Sequence, residues 1–206
     1  MWIVAGPNGS GKSSLYTYAD LAGWDGSVWI INPDLLTVDI AAGEKLETTP
    51  ANLAAVERIE AWLNASLNVY QTIGVETVLS SSKYRRLVER AHDRGFQVRM
   101  IYVLLRTAEL QIERVKLRVQ NGGHDVPEDK IRSRRTRSFE QLAWFARTVD
   151  RLDIFDNSSG EPELMATKVG TALVWHRRPP AALRAELAAA GVEGLPLARG
   201  SAKSRR

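Results

Sequence analysis

Two hydrophobic periods alternate along the 206-residue chain. Short, nearly continuous apolar runs recur at 2–5, 27–31, 72–80, 96–105 and 151–155, the pattern of strands buried in the middle of a sheet. Between them, apolar residues return at three- and four-residue steps. Leu53, Val56, Ile59, Leu63 and Leu67 make one such stripe over 50–70. Residues 84–94 make a second, stopped by Gly95, and residues 107–120 a third, with Thr107 placed to cap it. Pro127, Glu128 and Asp129 open a fourth helix running to about 149. A hairpin or further strand is expected within 164–175, and an alanine-rich helix over 181–190.

Strands that alternate with helices imply right-handed crossovers and a mostly parallel sheet covered on both faces. The expected fold is therefore α/β, a three-layer sandwich with a mostly parallel sheet of roughly five strands. In such a sheet ligands bind beyond the carboxyl ends of the strands. Arg177, Arg178, Pro179 and Pro180 read as a boundary. The expected division is one domain over 1–175, with a lid at about 121–138, and a basic, partly disordered tail over 176–206.

Charge sharpens this division. The net charge is +4, yet 176–206 hold seven Lys and Arg against Glu186 and Glu193, which leaves the body at about −1. A near-neutral body argues against a broad groove for a nucleic acid, and the tail reads as a solvated end or a weak electrostatic tether. With no cysteine, a disulfide framework and a cysteine-bound zinc site are excluded. No apolar run reaches membrane-spanning length, and the first residues lack the features of a signal peptide. A cytoplasmic protein is expected.

The chemistry begins at Gly6-Pro7-Asn8-Gly9-Ser10-Gly11-Lys12-Ser13, which matches G-x-x-x-x-G-K-[ST] without a mismatch and lies between an expected strand and an expected helix, where Ser14 continues the helix. Its glycines let backbone N–H groups converge on phosphate oxygens. Lys12 neutralises charge on the β- and γ-phosphates, and the Ser13 hydroxyl is a ligand for Mg²⁺. The ligand this predicts is ATP, or GTP, with Mg²⁺. Asp34 follows the second strand and Glu76 lies in the third. Asp34 suits either catalysis or a helix cap, whereas a buried Glu76 needs a partner or a function. The run from Lys130 to Arg137 supplies positive charge for a transferred phosphoryl group, or else forms a solvated helix face. Histidines at 92, 124 and 176 make no metal cluster.

In order, Gly6–Ser14, Ile31-Asn32-Pro33-Asp34, Val75–Ser80, the stretch from Arg114 through Gly122-Gly123-His124-Asp125-Val126-Pro127 to Ser138, and Phe155-Asp156-Asn157-Ser158 resemble the motifs of zeta-toxin-like P-loop kinases. The resemblance spans 2–160 and is closest to the small stand-alone branch, often labelled predicted ATPases. It implies a kinase that phosphorylates a hydroxyl of a nucleotide sugar such as UDP-N-acetylglucosamine, restrained by a separate antitoxin. By the same resemblance Asp34 is the general base, and Glu76, with Thr77 and Ser80 beside it, binds the acceptor. Arg132 and Arg134, followed by Arg137, reach the phosphates from the lid, with Arg135 of lesser weight. Asn157 lies near the nucleoside base. Arg135 stands where the branch usually has an aromatic residue, and Val78 where threonine is common, so the acceptor stays open. Two other functions fit the same motif: a nucleotide-dependent switch read by a protein partner, and, against the charge distribution, a nucleic-acid end kinase.

Overall fold

The computed structural model describes residues 1–18, 28–192 and 194–195. Eight strands form one sheet in the order β2-β3-β1-β4-β5-β6-β7-β8. The first five are all parallel: β1 (Trp2–Ala5), β2 (Ile30–Ile31), β3 (Gly74–Thr77), β4 (Arg99–Leu104) and β5 (Arg151–Asp156). The sheet continues past the five expected strands through an antiparallel hairpin, β6 (Glu163–Val169) and β7 (Ala172–Trp175), and ends on β8 (Gly194–Leu195), parallel to β7. Helices α1 (Lys12–Tyr18), α2 (Pro33–Glu44), α3 (Thr48–Asn68), α4 (Arg85–Asp93), α5 (Ala108–Gln120), α6 (Glu128–Thr148) and α7 (Ala181–Ala189) complete it.

Burial explains the apolar runs. All four residues of β1 are buried, as are five of the six in β4, because both strands lie inside the sheet with side chains packed on each face. β5 instead alternates buried and half-buried positions where the sheet turns antiparallel. The main core gathers Ile3, Val75, Tyr102, Leu104 and Ile154 from the sheet with Leu63, Leu67, Phe139 and Leu142 from the helices.

Two expectations need correction. The buried stripe of α3 is Ala51, Ala55, Ile59, Leu63 and Leu67, and Leu53 is 61% exposed. Small alanines let α2 and α3 approach closely, through Ile40, Ala51 and Ala55, and an apolar-only count passes over them. The body does not end at 175: α7 buries Leu183 and Leu187 in the main core, and Val192 joins them. The last residues of the expected tail, 196–206, lie outside the described residues, as does Ser27. Among the described residues no helix is long and apolar enough to cross a membrane.

Candidate functional site

The loop between β1 and α1 demands glycine most sharply at two places. Gly6 has φ +146°, and a Cβ there would lie 2.0 Å from the Val103 carbonyl oxygen. Gly11 has φ +86°, and its Cβ would meet the Asn157 amide nitrogen at 2.3 Å. The backbone thus coils tightly beside the ends of β1 and β4, and a loop of this kind leading into a helix offers N–H groups and the positive end of the helix to an anion. Asn8 and Ser10 are buried within this coil, while Ser14 is exposed on α1.

Lys12 and Ser13 converge on Glu76. The Ser13 hydroxyl donates to Glu76 Oε2 at 2.7 Å, and the Lys12 ammonium stands 3.7 Å from Oε1 while also donating to the Pro7 carbonyl at 3.3 Å. The parallel register of β1 and β3 brings this about, since it sets Glu76 beside Val4 and Thr77 beside Ala5, just below the loop. Burial pushes the Lys12 pKa down, Glu76 and then Asp34 pull it back, and Arg118 adds to the depression. Glu76 therefore has the partner that a buried carboxylate requires, and its place is against the phosphate loop.

Two further donors reach Glu76 Oε2: the Tyr16 hydroxyl at 3.0 Å and the Asn32 amide at 3.0 Å. Asn32 has a second task. Its Oδ1 accepts from the N–H groups of Asp34 and Leu35, making it the N-cap of α2, with Pro33 in the first helical position. The cap is thus Asn32 and not Asp34. Asp34 sits in the first turn of α2 with its carboxylate exposed, close enough to Lys12 to bear on its charge. Thr77 Oγ1 accepts from the Leu79 N–H at 3.0 Å, and Ser80 is half-buried on the segment beyond.

Positive charge comes to the loop from α5. Arg118 is near enough to Lys12 to depress it, and its guanidinium donates to the His124 carbonyl at 2.6 Å. Gly123 makes room for it, since a Cβ there would lie 2.5 Å from Arg118 Cγ. One turn earlier, Arg114 donates to the Asn157 carbonyl at 2.6 Å. Asn157 is buried, and its amide donates to the Ser10 carbonyl at 2.9 Å, so it braces the phosphate loop from behind. Nearby, Arg106 pairs with the buried Asp156 at 2.7 Å.

The expected arginine lid is the start of a long helix. Arg132 is exposed and pairs with Glu109 at 2.7 Å, Arg134 is half-buried, and Arg137 is exposed. Arg135 is buried and donates to the carbonyls of Leu105 and Arg106 at 2.7 and 2.9 Å while lying over the Phe139 ring. It bolts α6 to the end of β4. Truncating it strands two carbonyls, so Arg135→Ala is expected to cost roughly 2–4 kcal/mol, read as a lower midpoint in urea unfolding. An unchanged midpoint would remove the bolt.

Tyr16, Asn32, Arg114 and Arg118 carried no role in the sequence reading. The i, i+4 spacing of Arg114 and Arg118 ahead of Gly122-Gly123 was the signal for one pair; nothing in the sequence tied Tyr16 to Glu76.

Comparison with known proteins agrees with this fold. A family model described as an AAA domain matches residues 1–142. An uncharacterized protein of Haemophilus influenzae is 26% identical over 141 residues, 65% of this chain and 96% of its own length. Among solved structures, a chain of the AvrRxo1-ORF1:-ORF2 complex with ATP superposes with a TM-score of 0.65 at 17% identity, over 97% of this chain and 64% of that one. A chain of the PezAT chromosomal toxin–antitoxin system of Streptococcus pneumoniae gives 0.57 at 15% identity, over 81% and 71%. This chain therefore spans less than two thirds of the AvrRxo1 chain. The family shown is that of the AAA domain, and the likeness to zeta-toxin-like P-loop kinases is borne out in the fold.

Proposed function

We propose, for a chain that belongs to the AAA domain family, that it transfers the γ-phosphoryl group of ATP to a hydroxyl of a nucleotide sugar such as UDP-N-acetylglucosamine. The observation that carries this reading is the convergence of Lys12, Ser13 and Glu76 beneath the phosphate loop, with Asp34 at the neighbouring helix start. A bare nucleotide switch needs the loop but has no use for a second, exposed carboxylate poised beside it.

The residues fit Mg²⁺. Ser13 Oγ is a hard oxygen donor with Glu76 behind it, and no larger acidic or histidine cluster occurs among the described residues. That matches a small cation held by one or two protein oxygens together with phosphates and water. When bound, Mg²⁺ supplies charge neutralisation at the phosphate oxygens. Ser13 would hold it, and Glu76 would orient Ser13 and the coordinated water.

The protein's own groups then divide the work. Lys12 and the loop N–H groups hold the β- and γ-phosphates. Asp34 accepts the proton of the acceptor hydroxyl as its oxygen bonds to the γ-phosphorus and the bond to the β-phosphate oxygen breaks, releasing ADP. Arg118, Arg134 and Arg132 offset the charge spread over the transferred group. Thr77 and Ser80, at the carboxyl end of β3, face the acceptor side. A separate protein that restrains the enzyme is supported by the toxin–antitoxin assignment of PezAT.

Lys12→Ala and Ser13→Ala are each expected to weaken MgATP binding at least tenfold in calorimetric titration, one removing charge from the phosphates and the other a metal ligand. Ser13→Ala should also blunt the dependence of affinity on added Mg²⁺. Unchanged affinity in both would sink the proposed geometry.

A further inference from the structure

Helix α6 touches two strand ends with two neighbouring side chains. Arg135 holds the end of β4, as described. Three residues on, Ser138 is fully buried and reaches the segment that leaves β3. Its hydroxyl donates to the Val78 carbonyl at 2.9 Å and lies 2.8 Å from the hydroxyl of Tyr102, itself fully buried on β4. Proton counting fixes the direction. The carbonyl can only accept, so the single Ser138 proton is spent on Val78, and the Tyr102 O–H must donate to Ser138 Oγ. A directed chain therefore runs from Tyr102 through Ser138 to Val78.

The two ends of that chain matter to the site. Ser138 lies one helical turn after Arg134, on the same face of α6. Val78 directly follows Glu76 and Thr77, and the next residue, Leu79, is buried with φ +59°, a backbone setting that a leucine adopts only when its surroundings enforce it. The Thr77 hydroxyl and the Ser138–Val78 bond provide that enforcement from either side. Beyond Leu79 the chain continues through Ser80 into the turn where the Arg85 N–H meets the Ser82 carbonyl.

We infer that Ser138 is a positioning residue that couples nucleotide engagement by the arginine-bearing half of α6 to the setting of residues 78–82, the acceptor side of the site. Arginines drawn onto the phosphates move the first turns of α6 about the Arg135 anchor, and Ser138, one turn beyond Arg134, passes that movement to the Val78 carbonyl. The inference rests on the nucleotide-binding reading above.

Hydrogen exchange read by mass spectrometry tests it on the full chain, with and without MgAMP-PNP, whose affinity is measured separately by calorimetry. In the unchanged protein, nucleotide is expected to slow exchange severalfold in the peptide spanning 78–85. Ser138→Ala is expected to bind MgAMP-PNP with wild-type affinity yet lose that slowing. Tyr102→Phe, which removes one hydroxyl with little change of volume, should keep the affinity and lose part of it, and it decides the matter should Ser138→Ala not fold. Wild-type slowing retained in the folded variants, or none in a wild type that binds nucleotide, overturns the coupling and leaves the kinase reading standing. A wild type that fails to bind MgAMP-PNP overturns both, and calorimetry tells the two failures apart.

Discussion

Asp34→Asn is expected to bind MgATP about as tightly as the unchanged chain and to transfer phosphate ~10²–10⁴-fold more slowly, the range that positioned proton transfer contributes. The acceptor hydroxyl must lose its proton as the phosphoryl group arrives, and an amide cannot take it. The structure makes this substitution cleaner than the sequence suggested. Capping of α2 rests on the Asn32 side chain, so replacing Asp34 leaves the cap in place. Its carboxylate is exposed, so no buried partner is stranded. A small loss of stability remains, from removing a negative charge at a helix N-terminus, worth about 0.3–1 kcal/mol. Turnover at the wild-type rate would discharge Asp34 as the base.

The second large effect belongs to the arginines. Arg118→Ala and Arg134→Ala are each expected to lower turnover about 10³-fold or more with a much smaller change in MgATP affinity, since cations placed on the transferred group act on charge that develops in the transition state. Arg118 is the stronger expectation, because it already bears on Lys12 and is held by His124. Arg132 now pairs with Glu109 on the surface, a contact worth little in water, and so is free to leave it for a phosphate. Glu109→Ala should accordingly leave turnover near normal. Wild-type turnover in both arginine variants would return the run on α6 to a solvated helix face and leave Arg118 a structural residue.

Much of this was legible in the residues, for identifiable reasons. The phosphate loop is local: its glycines and Lys12-Ser13 carry their geometry within eight positions. The parallel strands were legible because burial on both faces writes continuous apolar runs, as in β1 and β4. What escaped depended on distance in sequence. Ser13 and Glu76 meet across 63 residues and Tyr16 and Glu76 across 60, contacts that arise only once β1 and β3 lie side by side. Glu76 could be recognised as needing a partner, but not which one. Arg135 shows the same limit from the other side. The family resemblance set it apart from the other arginines of the run, as the one of lesser weight, but only the docking of α6 on β4 shows that it is a buried bolt while Arg132 and Arg137 are exposed. α7 was expected as a helix but assigned to a tail, since an alanine-rich, flanking-basic segment gives no sign that Leu183 and Leu187 complete the core.

The most direct test of the central claim is mass spectrometry of nucleotide-sugar pools in cells induced to express the chain, set beside the same pools with Asp34→Asn. Expression of the unchanged chain should produce a nucleotide sugar heavier by one phosphoryl group, and the Asp34→Asn variant, binding MgATP normally, should not. Pools indistinguishable from those of uninduced cells, from a protein that binds MgATP, would contradict the proposed transfer to a nucleotide sugar.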